Sequence, residues 1–319
     1  MTQRIRDVVV GGSGRFVLWL CTGVLVSLNP GAAFAQSVAG SADLTHVPSN
    51  ASIVAYADVR EAMFSDVWAR IRQIAGDDLG QIRVEQLGLD LEQDIDDVLA
   101  FLVPAATPGR PAGLALLRGR FDMTRLEVVA REAGATVSDY AGTRVVSIEA
   151  DDVGALAMAA LEPGLVAVGD LATVHQAVDR QSDGSDVTAN EEMMALLDRV
   201  EGGSHLWAVG RFGDLSALGI LPDDASLQVP AVTAFALSGR IDSGVSGTVS
   251  IEGRDEETGQ QLRDLLRGVL AIAQSQTAGQ AELQTVVDSV ELGGIGTTAT
   301  VSFSLPSETL DLVFSAAAP

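Results

Sequence analysis

Lysine is absent. All 20 basic residues of the 319-residue chain are arginines, and 43 acids outweigh them to a net charge of −23. Without an amine side chain there is no Schiff-base lysine, no P-loop lysine and no Ser-Lys dyad. The acidity turns the chain away from nucleic acid and from anionic membrane surfaces. Cysteine occurs once, as Cys21, which excludes an internal disulfide and a cysteine-built metal cage. Aromatic residues make up 4% of the chain, too few to promise platforms for sugar stacking. His46, His175 and His205 form no His-x-x-x-His pair, so zinc is not expected. Ser204 and His205 are neighbours, but adjacency along a strand sends side chains to opposite faces and not into a triad. No Gly-x-Ser-x-Gly elbow occurs.

One apolar run stands out. Arg4, Arg6 and Arg15 form a positive leader, Phe16 to Leu28 an apolar core, and Ala33-Phe34-Ala35 a small-x-small cleavage site. The sequence therefore predicts a secretory signal peptide over residues 1–35, whose removal would take Cys21 with it. The run is short for a bilayer span, so no transmembrane segment is expected in the mature chain. A periplasmic or extracellular location follows. Residues 36–45 read as a flexible lead, 46–201 as a first α+β module with an extra βα pair and a linker helix, and 202–319 as a second module.

The stretch Ala112 to Gly134 carries the organising pattern: a buried strand, a Gly119-Arg120 exit, the cap Asp122 and an amphipathic helix through Leu126, Val129 and Ala130. The same grammar returns from Gly244 to Gly268, where Gly253-Arg254-Asp255 precedes a helix with Leu262, Leu265, Leu266, Val269, Leu270 and Ala273 on one face. Gly210-Arg211 and Gly239-Arg240 end two further strands alike. An arginine beside a helix N-terminus suits an anion, so Arg120, Arg211, Arg240 and Arg254 are candidate ligand residues. In so acidic a chain, pairing with neighbouring carboxylates is the competing and favoured reading.

Other elements follow in order. Asn50 to Val59 reads as the first strand, and Phe64 to Ala75 as a helix with Phe64, Val67, Trp68, Ile71 and Ile74 along its core face. Asp90, Glu92, Asp94 and Asp96 alternate in the densest acidic stretch and are candidate Ca²⁺ ligands. An EF-hand loop counted from Asp90 would need Gly and Glu where Ile95 and Phe101 stand, so a solvated helix leading into the strand Val98 to Val103 is favoured. Thr136 to Glu149 reads as a hairpin turning at Ala141-Gly142. Leu165 to Val168 is a strand whose Gly169-Asp170 caps a helix, and Asn190 caps another. Val287 to Leu292 and Thr297 to Leu305 read as a closing hairpin, followed by a short helix from Ser307. The Gly-x-Gly-x-x-Ala match at Gly294 to Ala299 precedes a strand, so it reads as a turn and not as a dinucleotide loop.

The fold class expected is α+β, in two related halves, each a mostly antiparallel sheet with helices packed on one face. Together with the signal peptide, the segments LEPGLVAVGD (Leu161 to Asp170) and SGRIDSGVSG (Ser238 to Gly247) give a pattern that resembles exported bacterial proteins of unknown function with a duplicated α+β module. That resemblance brings no catalytic residues with it. The expected function is a non-catalytic binding or assembly role in the cell envelope or extracytoplasmic space, with an envelope protein as partner and no cofactor. The alternatives are a carboxylate-dependent, Ca²⁺-assisted hydrolase around Asp90 to Asp97 and a binder of small anions at the arginines.

Overall fold

The computed structural model describes residues 40–65, 67, 94–104, 112–150, 154–183, 186–211, 231–277, 281–307 and 309. The expected signal peptide, Asp90, Glu92, most of the helix expected over Phe64 to Ala75 and nearly all of the expected C-terminal helix lie outside these residues. The fold is α+β, built on extensive antiparallel sheet with few helices. The chain forms two compact units.

The first unit begins with a 3-10 turn, Ser41–His46, in the stretch that reads by sequence as a flexible lead. It is held because Asp43 and Leu44 are both buried. Strands β1 (Ile53–Asp58), β2 (Ile95–Val103), β3 (Ala112–Gly119), β4 (Thr136–Tyr140), β5 (Thr143–Ala150), β6 (Gly154–Glu162) and β7 (Leu165–Asp170) lie in the order β1-β2-β3-β7-β6-β5-β4, each pair antiparallel. Two-residue turning at Ala141 and Gly142 (φ 50° and 83°) is the left-handed geometry that matches strand twist, and it fixes Tyr140 opposite Thr143. Helix α1 (Val59–Phe64) follows β1, α2 (Met123–Glu132) follows β3, and α3 (Leu171–Asp183) follows β7. Asp122 caps α2 by accepting from Arg125 N–H at 3.0 Å, and Asp170 caps α3 through Thr173 N–H at 3.0 Å. Leu126 and Ala130 of α2, and Val174 and Ala177 of α3, are buried. Helix α4 (Glu191–Leu197) is capped by Asn190, which accepts from Met193 N–H at 3.1 Å.

Two expectations change here. Strand β3 was expected to bury both faces, yet Leu114 and Leu116 are buried while Ala115 and Leu117 stay partly open. The acidic approach to β2 is no helix over Asp96 and Asp97: both lie in the strand, because Ile95, Val98 and Leu99 take buried positions around them.

In the second unit, β8 (Leu206–Arg211), β9 (Val232–Ile241), β10 (Gly244–Gly253), β11 (Glu291–Gly293) and β12 (Thr298–Pro306) lie in the order β8-β9-β10-β12-β11. Helices α5 (Glu256–Thr277) and α6 (Ala281–Asp288) sit between β10 and β11. Val287, expected to open a hairpin strand, lies in the last turn of α6 instead, where Val286 and Val290 pack against Phe303 and Leu305. The buried Val67 joins the same cluster, whereas Phe64, expected on that core face, is 79% exposed. Gly294 and Gly296 carry positive φ in the turn between β11 and β12, as the turn reading of that motif requires.

Both units leave their third strand in the same way. Gly119 N–H donates to Gly164 O (2.9 Å), Arg120 N–H to Asp94 O (2.7 Å), and Asp122 then caps α2. Gly253 N–H donates to Thr297 O (2.9 Å), Arg254 N–H to Ala231 O (3.1 Å), and Asp255 caps α5 through Thr258 N–H (2.8 Å). Near the start of α5, a Cβ on Gly259 would lie 2.3 Å from Gly296 O and 2.7 Å from Thr297 C. A helical glycine replaced by alanine ordinarily gains about 1 kcal/mol. Here the backbone contact reverses the sign, and Gly259→Ala is expected to lower the unfolding free energy by about 2 kcal/mol in urea titrations.

Candidate functional site

The arginines singled out by sequence are placed at strand ends. Arg120 and Arg211 are exposed. Arg240 donates from Nε to Gly203 O (3.0 Å) and from Nη2 to Gly202 O (3.2 Å), clamping the turn that precedes β8. Arg254 lies 3.6 Å from Asp255 with both side chains largely open to solvent, an arrangement worth little in stability. Of the acidic candidates, Asp94 supplies its backbone carbonyl to Arg120 and Asp96 pairs with Arg60. Among the described residues no group of three or more His, Cys, Asp or Glu is arranged to hold a metal ion.

What the structure does bring together is a charged row across the first sheet. Asp58 of β1 stands opposite Asp97 of β2, and Asp97 opposite Arg118 of β3. Directly opposed residues share a sheet face, so two carboxylates and a guanidinium lie side by side. The 3-10 turn adds a third carboxylate, Asp43, which takes Arg118 in a two-point contact: Nε donates to Oδ2 at 3.0 Å and Nη2 to Oδ1. Asp43 is 3% exposed while Arg118 keeps about a third of its side chain open to solvent, so a buried carboxylate held by a part-exposed guanidinium fixes the turn against the sheet. Hydrogen bonding to Asp43 raises the Arg118 pKa further. Burial, then the charges of Asp43 and Asp58, push the Asp97 carboxyl up to about 6 against the opposing pull of Arg118. Tyr56, on the same strand face as Asp58, has its phenol pushed up by burial and by Asp97, Asp58 and Asp43.

At the edge of this row His46 Nε2 lies 3.3 Å from Glu162 Oε1. Glu162 also borders an open hollow of about 430 Å³ with Phe121, Met123, Leu161, Pro163 and Val166. Sequence reasoning missed the whole row. Its members are scattered from Asp43 to Glu162, and only strand register makes them neighbours.

The second unit offers a different kind of feature. Asp255 starts α5 by accepting from Thr258 Oγ1 (2.6 Å) and Thr258 N–H, and those bonds hold its carboxyl below the usual range. Thr258, Gly259 and Leu262 are the buried residues of this 22-residue helix. Leu266, Leu270 and Ala273 are half-buried, and the helix packs against α6, β10, β11 and β12. Leu265, Val269 and Ile272 are instead 48%, 57% and 59% exposed. At about 100° per residue they form one strip beside the packed face, so the apolar arc spans about half the helix and only part of it is covered. By sequence Leu265 and Val269 share one apolar face with Leu262; in the structure Leu262 is buried while the other two are about half exposed. Among the described residues, no helix is long and apolar enough to cross a membrane.

The architecture is thus an α+β protein with a large antiparallel sheet, and solved structures share it. Two crystal forms of TP0453, a Treponema protein, are similar to the chain. Crystal form III matches at 13% identity and a TM-score of 0.52, covering 85% of this chain and 97% of that one. Crystal form I matches at 14% identity and 0.52, covering 86% and 96%. At this identity the likeness is one of fold. No family model and no curated protein matches the chain.

The raised carboxyl gives the charged row a pH signature. Asp97 binds its proton more tightly folded, near pH 6, than unfolded, near the ordinary carboxylate value of about 3.9. Its charge therefore erodes stability as pH rises from about 4 to about 6, and the full cost applies above that window. Asp97→Asn is expected to raise stability by about 1–2 kcal/mol at pH 8, after allowance for solvent screening of a half-buried group, and to give no gain at pH 4. Thermal melts of both proteins across that range measure it.

Proposed function

We propose that the chain is an exported, non-catalytic binding or assembly protein of the bacterial envelope or extracytoplasmic space. One observation carries this reading: α5 holds Leu265, Val269 and Ile272 open to solvent on a helix whose neighbouring face is packed. A contiguous exposed apolar strip on a highly charged protein marks a contact surface. Leu265, Val269 and Ile272 are not needed for the core, since Leu262 with Phe303 and Leu305 supplies buried contacts in the second unit. Export rests on the leader residues 1–35 of the sequence. The matching exits at Gly119 and Gly253, each followed by an Asp-capped helix, support a duplicated module in which the second copy has lengthened its helix into a docking element.

Photo-crosslinking in the native host tests the reading. A photoreactive residue at Val269 is expected to trap a discrete protein adduct that the same residue at the exposed Gln274, on the far side of α5, does not. Val269→Asp is expected to abolish function while changing the unfolding free energy by less than about 0.5 kcal/mol, whereas Leu262→Ala costs about 2–4 kcal/mol. No adduct at Val269, or the same adducts from both positions, would remove the proposal.

A further inference from the structure

The 3-10 turn Ser41–His46 is fastened to the first sheet by charge at two points. On one side the buried Asp43 takes Arg118, and on the other His46 Nε2 lies 3.3 Å from Glu162 Oε1 with its imidazole largely buried. Between these grips Asp97 stands in register with Asp58 and Arg118. When Asp97 is charged, Asp43, Asp58 and Asp97 set three carboxylates around the guanidinium of Arg118; when it is neutral that crowding is relieved. The His46 contact is an ion pair only while the imidazole carries its second proton. The charges acting on Asp97 are Asp43, Asp58 and Arg118, and those acting on Arg118 are Asp43, Asp97 and Glu162. Tyr56 faces the same acids, and its phenol, pushed up by burial and by them, stays neutral. Asp96, next to Asp97 in the chain, pairs with Arg60. Helix α3 and the 3-10 turn Val187–Ala189 also pack against Ser41–His46. There His175 and Asp179 engage Tyr140, Asp186 accepts from Thr188 N–H (2.8 Å), and Arg180 acts on neither Asp97 nor Arg118. Beyond His46 the chain is held by backbone contacts that no proton alters: Val187 N–H donates to Val47 O (2.8 Å), and Pro48 bridges to Asp186.

We propose that Ser41–His46 is a pH-sensitive latch: it closes on the first sheet while Asp97 and His46 are protonated, and lifts about Val47 when both have lost their protons, uncovering Asp43 and Arg118. The latch is independent of the docking role of α5. With the turn closed, burial and then the charges of Asp43 and Asp58 carry the Asp97 carboxyl up to about 6. Once the turn lifts, Asp43 withdraws and water reaches Asp97, which returns toward the ordinary value of about 3.9. The closed turn therefore holds the proton more tightly. Its advantage is complete below about pH 4, erodes as the pH climbs to about 6 and is gone above that. The imidazole works in the same direction, because histidine gives up its proton between about pH 5 and 8. Leu44, buried beneath the turn, resists opening at every pH, so the protons shift a population and do not unfold the unit.

Hydrogen–deuterium exchange of the full mature chain at pH 5 and pH 8, corrected for the intrinsic pH dependence of exchange, tests the latch. The segment 41–47 carries two hydrogen-bonded reporters, Asp43 N–H to Gly40 O and Val47 N–H to Leu44 O. A carboxyl displaced by about two pH units biases closure by at most about a hundredfold, and solvent around a half-buried group cuts this to about tenfold. Protection of 41–47 is therefore expected to fall about tenfold from pH 5 to pH 8, while that of β7, in the same sheet, stays constant. Asp97→Asn is expected to keep the segment protected at pH 8, and Asp97→Asn combined with His46→Gln to leave it no pH dependence. Equal protection of 41–47 at both pH values overturns the latch, as does greater protection at pH 8. So does a fall that survives in the double variant, since other groups then cause it. A fall shared equally by β7 is unfolding of the whole unit and also overturns it. Should either variant fail to fold, the comparison of 41–47 with β7 in the unsubstituted chain still decides.

Discussion

The constraint on which both units depend is the absence of a side chain where the third strand ends. At Gly119 a Cβ would lie 1.9 Å from Asp94 O, so the backbone of β3 can leave the sheet against the residue that leads into β2 only if nothing projects there. That approach lets Arg120 N–H reach Asp94 O, which places Asp122 at the start of α2. In the other unit Gly253 makes the corresponding exit and Asp255 the corresponding cap. Each helix therefore starts at a position fixed by backbone hydrogen bonds. The last strand of each group then pairs with the third: β7 beside β3, and β12 beside β10.

On this frame the units differ in what they do with charge. The first draws three carboxylates and one arginine onto one sheet face, with Asp43 laid over the row by the 3-10 turn. Asp43 takes Arg118 in a two-point contact, and burial, with the charges of Asp43 and Asp58 added, pushes the Asp97 carboxyl up to about 6. A row of this kind holds the turn in one register. The second unit gathers no such row: Glu252 pairs with Arg199, and Asp264, on the exposed side of α5, pairs with Arg267.

Features written in local chemistry were legible in the sequence. Asp122, Asp170, Asn190 and Asp255 all cap the helices assigned to them, because a cap needs only a short polar side chain and two backbone N–H groups within a few residues. The Ala141-Gly142 turn and the turn at Gly294 to Ala299 were legible for the same reason. What depends on register was not: Asp58, Asp97 and Arg118 become neighbours only when β1, β2 and β3 align. Acids at 96 and 97 suit a solvated helix until Ile95 and Val98 are seen to fill strand positions. The valines of 286–290 carry strand propensity, yet packing against Phe303 and Leu305 makes the segment to Asp288 a helix. The apolar side of α5 was legible as a face, but how much of it would be covered depends on which elements pack beneath it, here α6, β10, β11 and β12.

Along α5 that incomplete cover also divides one helix into two stability regimes. The turns from Glu256 to Leu262 are tied to the sheet by Thr258, Gly259 and Leu262 and can open only when the surrounding unit does. Arg263 adds two further ties, donating to Gly296 O and Thr298 O, but from Asp264 to Thr277 no residue is fully buried, so those turns are held by their own backbone bonds and by half-buried Leu266, Leu270 and Ala273. Such a segment sits at the low end of the opening free energies within a folded protein. Its amide protons can exchange with solvent by fraying while those of the first turns wait for wider unfolding, and an occupant on the strip would slow the faster set first.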